Sequence, residues 1–508
     1  MSTLSLSRPS VAELATYSLA TYLPGVLTLV STYIFTRMLA PDEYGVFALW
    51  SATVLMIGSI TVQWLRQSIL RYWKEYVHTE EAAQFRHTVT DMAWLVCALL
   101  LGLGTLGSIG FFVLSAKYLL NFSIIGILAA IFFCWTTVQL SIWQADRKSS
   151  PYAISRIITA VITVLVSFTL LIYMRNALAL GIGSIVGSGA AACYGYVKLS
   201  RLPSTRVALS AIISPRIANR MLMYGLPFGG WFIGTQIMSY ADRFILGFVG
   251  TAAAVGAYSA IYTLMNGLIS FLTTPLLTAA HPAIVAAWSA SEEKDLAAHA
   301  LWQYVRLFTL IALPVSAGAV ATSQSIARLL VPEGYYPDGW LVSLLVVGLF
   351  LNMFGLFAHK GLEMAEKTRQ MLGLAALCAL VNVVFCVLLI PWMGARGGAL
   401  ATLIAYLLYV VLGLWISRPY LHLQMDWRSL QRTSFASLGV FGVAWLLGNL
   451  APPWPPAIRL IAIVCASALV YLALLLILKE FSPCEVWGYF LSGYSRLRGR
   501  GRADLQPQ

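Results

Sequence analysis

Charged residues are scarce in this sequence. Lys and Arg number 33 and Asp and Glu 20 among 508 residues, so that 10% of the chain is charged, whereas 59% is hydrophobic. A soluble domain carries about 25% charged residues, and a soluble protein of this length could not cover its surface with so few. The scarcity excludes a cytoplasmic enzyme, and the excess of hydrophobic residues excludes a disordered chain. A polytopic membrane protein remains.

Signatures of the common catalytic and metal sites are also absent. The seven cysteines form no CxxC pair, the six histidines are scattered, and no HExxH, GxSxG or GxxxxGK(S/T) motif occurs. We therefore predict no disulfide framework, no metal, no cofactor and no enzymatic activity. The net charge of +13 does not indicate a nucleic-acid partner, because the basic residues are distributed between apolar segments and are not gathered on one soluble domain.

Apolar runs that are long enough to cross a bilayer occur about fourteen times. Because these runs are continuous, they predict helices and not the alternating strands of a barrel. The connecting loops are short, so no soluble domain is inserted between them. The predicted spans are 14–38, 45–70, 91–116, 118–142, 151–174, 177–198, 221–249, 252–279, 301–328, 340–359, 371–390, 397–417, 433–451 and 457–478.

Basic residues are concentrated in every second loop between these runs. Arg71 and Lys74 follow the second run and Arg147 and Lys148 follow the fourth, whereas the intervening loops carry few basic residues. Because Lys and Arg favour the cytoplasmic side of a membrane, we expect both termini in the cytoplasm. The tail at 481–508 combines aromatic residues with arginines, which predicts that it lies on the anionic cytoplasmic leaflet.

Two blocks of the sequence that begin six runs apart resemble each other. Tyr17 is followed by Arg37 after about twenty residues, and Tyr224 is followed by Arg243 at a similar interval. Blocks six helices apart face the same way across the membrane, which indicates two six-helix lobes related by an axis along the membrane normal. We therefore expect two lobes around a central cavity. The predicted organisation is an N-lobe at 1–220, a C-lobe at 221–420, two additional helices at 421–480 and the tail at 481–508.

Polar side chains inside the apolar runs recur at helical spacing. A charged side chain at the centre of a spanning helix costs roughly 2.5–3.5 kcal/mol, so such residues usually face an aqueous cavity or a partner. Several helices with a polar face therefore predict a solvated cavity between the lobes. The candidate cavity residues are Gln63 and Arg66 in the second run, Gln236, Asp242 and Arg243 in the seventh, Tyr262 and Asn266 in the eighth, and Arg37 in the first.

Some of these residues have simpler interpretations. Arg37 is near the end of its run, so it can equally be an interfacial anchor. Arg243 can extend outward to the interface, and Asp242 can pair with Arg243 or with Arg37. Pro24 and Pro227 occupy related places in the two halves, where a bend would let one lobe rock against the other. Ordinary use of proline in a membrane helix is the alternative.

Two motifs resemble those of a known family. The stretch 34–45, IFTRMLAPDEYG, resembles the first outer loop of Wzx-type flippases. These are the polysaccharide transporters of the multidrug/oligosaccharidyl-lipid/polysaccharide exporter superfamily. The stretch 240–247, YADRFILG, followed by VGAYS at 255–259, resembles the matching block at their seventh helix. With the fourteen-span layout, the resemblance covers essentially the whole chain.

The resemblance implies a two-lobed transporter with a central, often cationic cavity in the bacterial cytoplasmic membrane. Members of the family move an oligosaccharide on undecaprenyl diphosphate from the inner to the outer leaflet, for cell-surface or exopolysaccharide synthesis. We expect alternating access, with Arg66, Arg243 and Arg37 on the anionic headgroup, because guanidinium groups bind phosphate oxygens in pairs. Asp242 is expected to be their charge partner or to couple transport to H⁺ or Na⁺. The expected partners are the lipid-linked glycan, membrane lipids and polysaccharide-assembly proteins.

Two other functions are compatible with these residues. A drug or cation exporter of the same superfamily would share the fold, but it would depend on acidic cavity residues, whereas arginine predominates here. A membrane-embedded glycan polymerase or ligase is the second alternative, and it would be expected to need a large extramembrane loop or an acidic catalytic cluster. A lipid II flippase would differ from the favoured function only in the glycan that it carries.

Overall fold

The computed structural model describes residues 11–77, 79–113, 117–200, 214–290, 294–335, 339–450 and 455–480. These residues form helices and short connections and contain no strand, so the predicted all-helical class is confirmed. The predicted surface tail at 481–508 lies outside the described residues.

Within the described ranges, fourteen long helices correspond to the fourteen predicted runs. Two short helices and one 3₁₀ turn at Glu333–Tyr335 complete the described elements. The helices are α1 (Val11–Met38), α2 (Pro41–Tyr76), α3 (Ala82–Val113), α4 (Lys117–Ala145), α5 (Ser149–Met174), α6 (Ala177–Ser200), α7 (Pro215–Val249), α8 (Ala252–Ala290), α9 (Asp295–Ala321), α10 (Ser323–Leu330), α11 (Gly339–Ala358), α12 (Lys360–Met364), α13 (Thr368–Met393), α14 (Ala395–Ser417), α15 (Trp427–Leu450) and α16 (Pro456–Ile477).

The ninth run is the one that the structure divides. The prediction placed one segment at 301–328, but α9 ends at Ala321 and α10 begins at Ser323. Between them, Thr322 donates its hydroxyl to the carbonyl of Gly318 at 2.7 Å. Thr322 has φ −104° and ψ 15°, values outside those of a regular α-helix, and this local change of the backbone ends α9. Apolar periodicity does not report this local effect.

The surface of the helices is that of a protein in lipid. Twelve of the described helices are long and apolar enough to cross a membrane, and α7 and α15 are not among these twelve. Large aromatic side chains stand exposed near helix ends, as in Tyr173 of α5 (81%), Phe248 of α7 (89%) and Trp392 of α13 (89%). Aromatic rings at helix ends are typical of the membrane interface. The chain is a multi-pass membrane protein.

The described helices form two compact units. The first comprises the described parts of 1–275 and 330–422, and the second those of 276–329 and 423–508. In the first unit, Leu65 and Phe85 belong to a buried apolar cluster of α2, α3 and α4, and Met238 belongs to one of α7, α13 and α14. The first unit thus contains helices of both predicted six-helix lobes. The lobe boundary at residue 220 stays a prediction.

A buried carboxylate links the helices of the second unit to one another. Glu480 follows α16, and 1% of its side chain is exposed. It accepts hydrogen bonds from Arg306 of α9 (2.6 Å from Nη2 and 2.9 Å from Nε) and from Ser429 of α15, and Arg432 Nη1 lies 3.7 Å away. The carboxylate therefore links three helices of the unit, α9, α15 and α16. The link is strong because charge-assisted hydrogen bonds are stronger than neutral ones.

Replacing Glu480 with Gln keeps the shape of the side chain and removes its charge. We expect the variant to lose about 1.5–3 kcal/mol of stability, the range for hydrogen bonds to a charged group, seen as a lower Tm in detergent. Glu75→Gln is the matched control: its 2.6 Å pair with Arg220 is 50% and 46% exposed, and exposed pairs contribute about 0–1 kcal/mol. Equal Tm shifts in the two variants would contradict a role of Glu480 in holding the unit together.

Candidate functional site

The carboxylate of Asp242 lies in a buried polar cluster between α7, α8 and α14. Only 1% of the residue is exposed. Its oxygens accept hydrogen bonds from the hydroxyl of Tyr258, from Thr402 Oγ1 (3.2 Å) and from the backbone N–H of Arg243 (2.7 Å). An ionised carboxylate in a membrane is tolerated when polar groups surround it in this way. The cluster therefore explains how the helix holds an acid at this depth.

Asn382 of α13 extends the cluster. Its Nδ2 donates to Thr402 Oγ1 at 3.3 Å, and the residue is completely buried. Its Oδ1 has no hydrogen-bond partner within the described ranges. Asn382 and Thr402 are absent from the predicted site. Each is a polar residue in a strongly apolar helix, and that isolation is the sequence signal that could have found them.

The guanidinium of Arg243 lies against two tyrosine rings. Its Cζ atom is 4.4 Å from the ring centre of Tyr262 and 4.9 Å from that of Tyr240. Arg243 is 6% exposed, and its Nε has no hydrogen-bond partner in the part of the chain that the structure describes. Cation–π contacts stabilise the charge while a donor stays unused. The predicted residues Asp242, Arg243 and Tyr262 thus come together in one buried site.

The helices α2 and α7 pack against each other in antiparallel directions. Ser68 Oγ of α2 donates to the carbonyl of Met221 at 2.7 Å, and Gln236 Nε2 of α7 donates to Ser59 Oγ at 3.5 Å. Gln63, which is 6% exposed, lies one turn along α2 from Ser59. The predicted residues Gln63 and Gln236 therefore both belong to this seam between α2 and α7.

The same register places Arg66 and Arg243 on two different levels of the seam. Arg66 follows Ser59 by seven residues, Arg243 follows Gln236 by seven residues, and the two helices run in opposite directions. At 1.5 Å per residue, the two positions are about 20 Å apart along the helices. Arg66 is half-buried and donates to Oε1 of Gln144 at 3.4 Å. The predicted arginines are thus not gathered into one cluster.

Arg37 lies at the end of α1. It donates from Nη1 to the carbonyls of Tyr33 (2.9 Å) and Leu330 (3.1 Å), and its Cζ is 3.5 Å from the ring centre of Tyr33. Nearby, the hydroxyl of Tyr335 donates to the carbonyl of Leu39 at 3.0 Å. These bonds connect the α1–α2 turn to the segment 330–335. The contact of Arg37 with a headgroup stays a prediction.

The beginnings of α2 and α8 approach each other through two glycines. A Cβ atom built on Gly45 would lie 1.8 Å from the carbonyl oxygen of Ala252, and one built on Gly256 would lie 1.9 Å from that of Pro41. Real side chains do not approach an oxygen so closely, so each position requires glycine. Pro41 precedes Gly45 by four residues, as Ala252 precedes Gly256. The contact is therefore reciprocal between equivalent places of the two sequence blocks.

Pro24 and Pro227 lie inside continuous helices, α1 and α7. Next to Pro227, a Cβ atom built on Gly225 would lie 2.4 Å from the carbonyl oxygen of Trp64 in α2. Gly225 therefore permits the close approach of α7 to α2. The role of the two prolines as hinges stays a prediction.

A separate cavity of about 220 Å³ lies between α1 and α8. Asn266 is the predicted site residue that lines it. None of the lining residues is charged, and most are polar or small: Thr21, Tyr22, Gly25, Thr28, Thr263, Asn266, Gly267, Ser270, Phe271 and Thr274.

Comparison with known proteins places the chain in a family. The family model described as "Polysaccharide biosynthesis protein" matches residues 34–338, which is more than half of the chain. The chain belongs to this polysaccharide biosynthesis family, and the family membership predicted from the motifs is confirmed. A relative from Haloferax volcanii, named a probable flippase AglR, is 22% identical over 420 residues, which cover 80% of this chain and 82% of that protein.

Two solved structures share the fold. The lipid II flippase MurJ in an inward closed conformation superposes with a TM-score of 0.72 and 15% identity, covering 91% of this chain and 98% of that one. A multidrug resistance MATE family transporter in an inward-facing conformation has a TM-score of 0.62 and 14% identity, over 80% of this chain and 97% of that one. At these identities the likeness is one of fold. The named relatives are flippases or transporters and not enzymes.

The glycine contact can be tested directly. Gly45→Ala or Gly256→Ala should force the beginnings of α2 and α8 apart, because a methyl group has no room against the opposing carbonyl. We expect faster hydrogen–deuterium exchange in residues 41–48 and 252–260 of the purified protein. Gly373→Ala is the matched control, since nothing lies within 4 Å of a Cβ at that position. Unchanged exchange in both glycine variants would show that the contact is not formed.

Proposed function

We propose that this protein flips an oligosaccharide linked to undecaprenyl diphosphate from the inner to the outer leaflet of the bacterial cytoplasmic membrane by alternating access. The observation that carries the proposal is the guanidinium of Arg243, buried in the membrane with an unused donor between tyrosine rings. A cation at that depth, already desolvated, is suited to a phosphate group that must cross the hydrocarbon. The flippase names of the relatives agree with it.

The charge of the loops supports an orientation for this transport. Most basic residues flank the ends of even-numbered runs, and this pattern favours a cytoplasmic location for both termini. In this orientation the turn between α1 and α2 is on the outer side. Arg66 is then on the inner level of the seam and Arg243 on the outer level. The headgroup would meet Arg66 first and Arg243 later, while its lipid tail stays in the bilayer.

The groups between the two levels suit a moving headgroup. Gln63, Ser59 and Gln236 are uncharged, and their amides and hydroxyl can bond to phosphate or sugar oxygens in turn. The reciprocal contact at Gly45 and Gly256 would close the outer side while the headgroup is on the inner level. Release would require that contact to open, with Pro24 and Pro227 as candidate hinges.

Asp242 is our candidate for coupling to an ion. Its carboxylate accepts bonds from hydroxyls of α8 and α14, and the unpartnered Oδ1 of Asn382 is two hydrogen bonds away through Thr402. Oxygen atoms of these types bind Na⁺, and a carboxylate can equally take up a proton. Binding of either ion would change the charge beside Arg243, and hence its attraction for an anion.

The proposed headgroup site predicts the effect of charge reversal. Arg243→Glu should abolish surface glycan in a strain deleted for the gene, because a carboxylate repels the diphosphate. We expect complete lipid-linked repeat units to accumulate on the inner leaflet, measured by lipid extraction and by protection from an external lectin. Arg216→Glu is the control on the same helix, since that side chain is 87% exposed. Normal surface glycan with a well-expressed Arg243→Glu variant would contradict the assignment.

The same deletion strain distinguishes the rival functions. Loss of a polymerase or ligase would leave single repeat units exported and unjoined. Loss of a drug exporter would change drug sensitivity and leave the surface glycan intact. Either of the rival phenotypes would overturn the proposed function.

The coupling role of Asp242 has its own test. Asp242→Asn should make transport insensitive to an imposed gradient of H⁺ or Na⁺, because the carboxamide neither titrates nor carries the charge that balances a cation. The measurement is translocation of undecaprenyl-diphosphate-N-acetylglucosamine in proteoliposomes with each gradient. Asp295→Asn, on the exposed beginning of α9, is the control. A variant stimulated as strongly as the wild type would refute coupling through Asp242.

A further inference from the structure

The hydroxyl groups of this protein usually bond to their own helix. Thr28 donates to Pro24 at 2.9 Å, Thr53 to Leu49 at 2.8 Å and Thr273 to Ile269 at 2.8 Å, each a carbonyl four residues earlier. Such bonds satisfy a polar side chain inside a membrane without any external partner. A polar side chain in the membrane without such a hydrogen bond is therefore an exception that needs an explanation.

One face of α8 departs from this pattern. Thr263, Asn266 and Ser270 have no side-chain hydrogen bond to any of the described residues, and all three line the α1–α8 cavity. Their offsets of three and seven place them on one helix face. One turn earlier on the same face, the hydroxyl of Ser259 is buried and also lacks a partner in the described chain. Polar groups without hydrogen-bond partners cost free energy inside a membrane. We therefore expect this face of α8 to bind a ligand that supplies those hydrogen bonds.

The cavity has the chemistry of a sugar site. Its polar groups are hydroxyls and an amide, which both donate and accept, and none of its lining residues carries a charge to attract a phosphate. Tyr22 and Phe271 meet edge to face at 4.9 Å and add aromatic surface for the C–H side of a sugar ring. The cavity of about 220 Å³ has room for roughly seven waters, which corresponds to one ring and not to a whole repeat unit.

The position of the cavity relates it to the anion site. Asn266 lies one turn along α8 from Tyr262, whose ring packs on the guanidinium of Arg243. One turn is about 5.4 Å, so a sugar beside Asn266 would be close to a phosphate beside Arg243. Gly25 keeps the α1 side open, because nothing lies within 4 Å of a Cβ built there.

We infer that the α1–α8 cavity is a neutral subsite for the first sugar of the carried glycan, the one attached to the diphosphate, with Asn266 as its principal hydrogen-bonding residue. The inference rests on the proposed function and divides the site into two parts. Arg243 binds the phosphate that every lipid carrier has, and Asn266, Thr263 and Ser270 bind a sugar ring. The subsite would thus make the protein prefer a loaded carrier over an empty one.

The test compares two lipids on the full-length protein. Undecaprenyl diphosphate and undecaprenyl-diphosphate-N-acetylglucosamine are titrated separately, and their affinities are measured by native mass spectrometry. We expect the wild type to prefer the glycosylated lipid. Asn266→Leu should reduce that preference by about tenfold, the effect of one or two lost hydrogen bonds, with unchanged affinity for the bare carrier. Thr263→Val, which removes only a hydroxyl, should act in the same direction.

Asn449→Leu is the matched control, because Asn449 is exposed on α15 and bonds to its own helix at Trp445. The subsite is overturned if Asn266→Leu and Thr263→Val keep the wild-type preference, or if they weaken both lipids equally. A wild-type protein that binds the two lipids equally well also overturns it and leaves the proposed function standing. A wild-type protein that binds neither lipid overturns the proposed function itself.

Discussion

The rest of the structure depends on how the carboxylate of Asp242 is accommodated in the membrane. Hydrocarbon supplies no hydrogen bonds, so a buried charge persists only where the protein replaces water. Here Tyr258 and Thr402 come from two neighbouring helices, and the backbone of Arg243 provides a third donor. Three helices are therefore tied to one acid. The adjacent guanidinium lies against aromatic faces, and its Nε has no hydrogen-bond partner among the described residues.

Close packing is the second constraint, and it is met by glycine. The approaches at Gly45, Gly225 and Gly256 bring helix backbones against opposing carbonyls with no space for a methyl group. In a membrane, where the hydrophobic effect does not drive helices together, small residues permit the van der Waals contact that does. These contacts lie between α2 and the pair α7 and α8, helices of the two sequence blocks. The polar groups of the proposed pathway lie along the same seam.

Much of the fold could be predicted from the sequence, because a long apolar run indicates a membrane-spanning helix. All fourteen runs became long helices, and the ninth, predicted at 301–328, is interrupted at Thr322. Motif resemblance was enough for the family. The site was harder, because the sequence does not give the register of one helix against another. The position of each residue in its run already placed Arg66 towards the cytoplasmic side and Arg243 towards the outer side. The pairing of Ser59 with Gln236 adds their separation of about 20 Å along the α2–α7 seam.

Asn382 and Thr402 are site residues that the sequence analysis did not select. Neither belongs to a polar stripe, so helical spacing gave no reason to select them, yet both lie within the cluster of Asp242. Their partners are distant in the sequence, and the packing of α7 against α13 and α14 is what joins them. Single polar residues in very apolar helices therefore carry information that a search for stripes does not use.

The spacing between the two arginine levels has a kinetic consequence. In the proposed pathway, an anion that moves from Arg66 to Arg243 passes only neutral amides and hydroxyls on the way. The free-energy profile of the anion therefore has a well at each arginine and a barrier between the two wells. Passage requires each well to be deep enough to fill and shallow enough to empty. Tighter binding of the headgroup at either arginine would slow its release and would not increase the rate of transport. A modest affinity at both is what rapid turnover would demand.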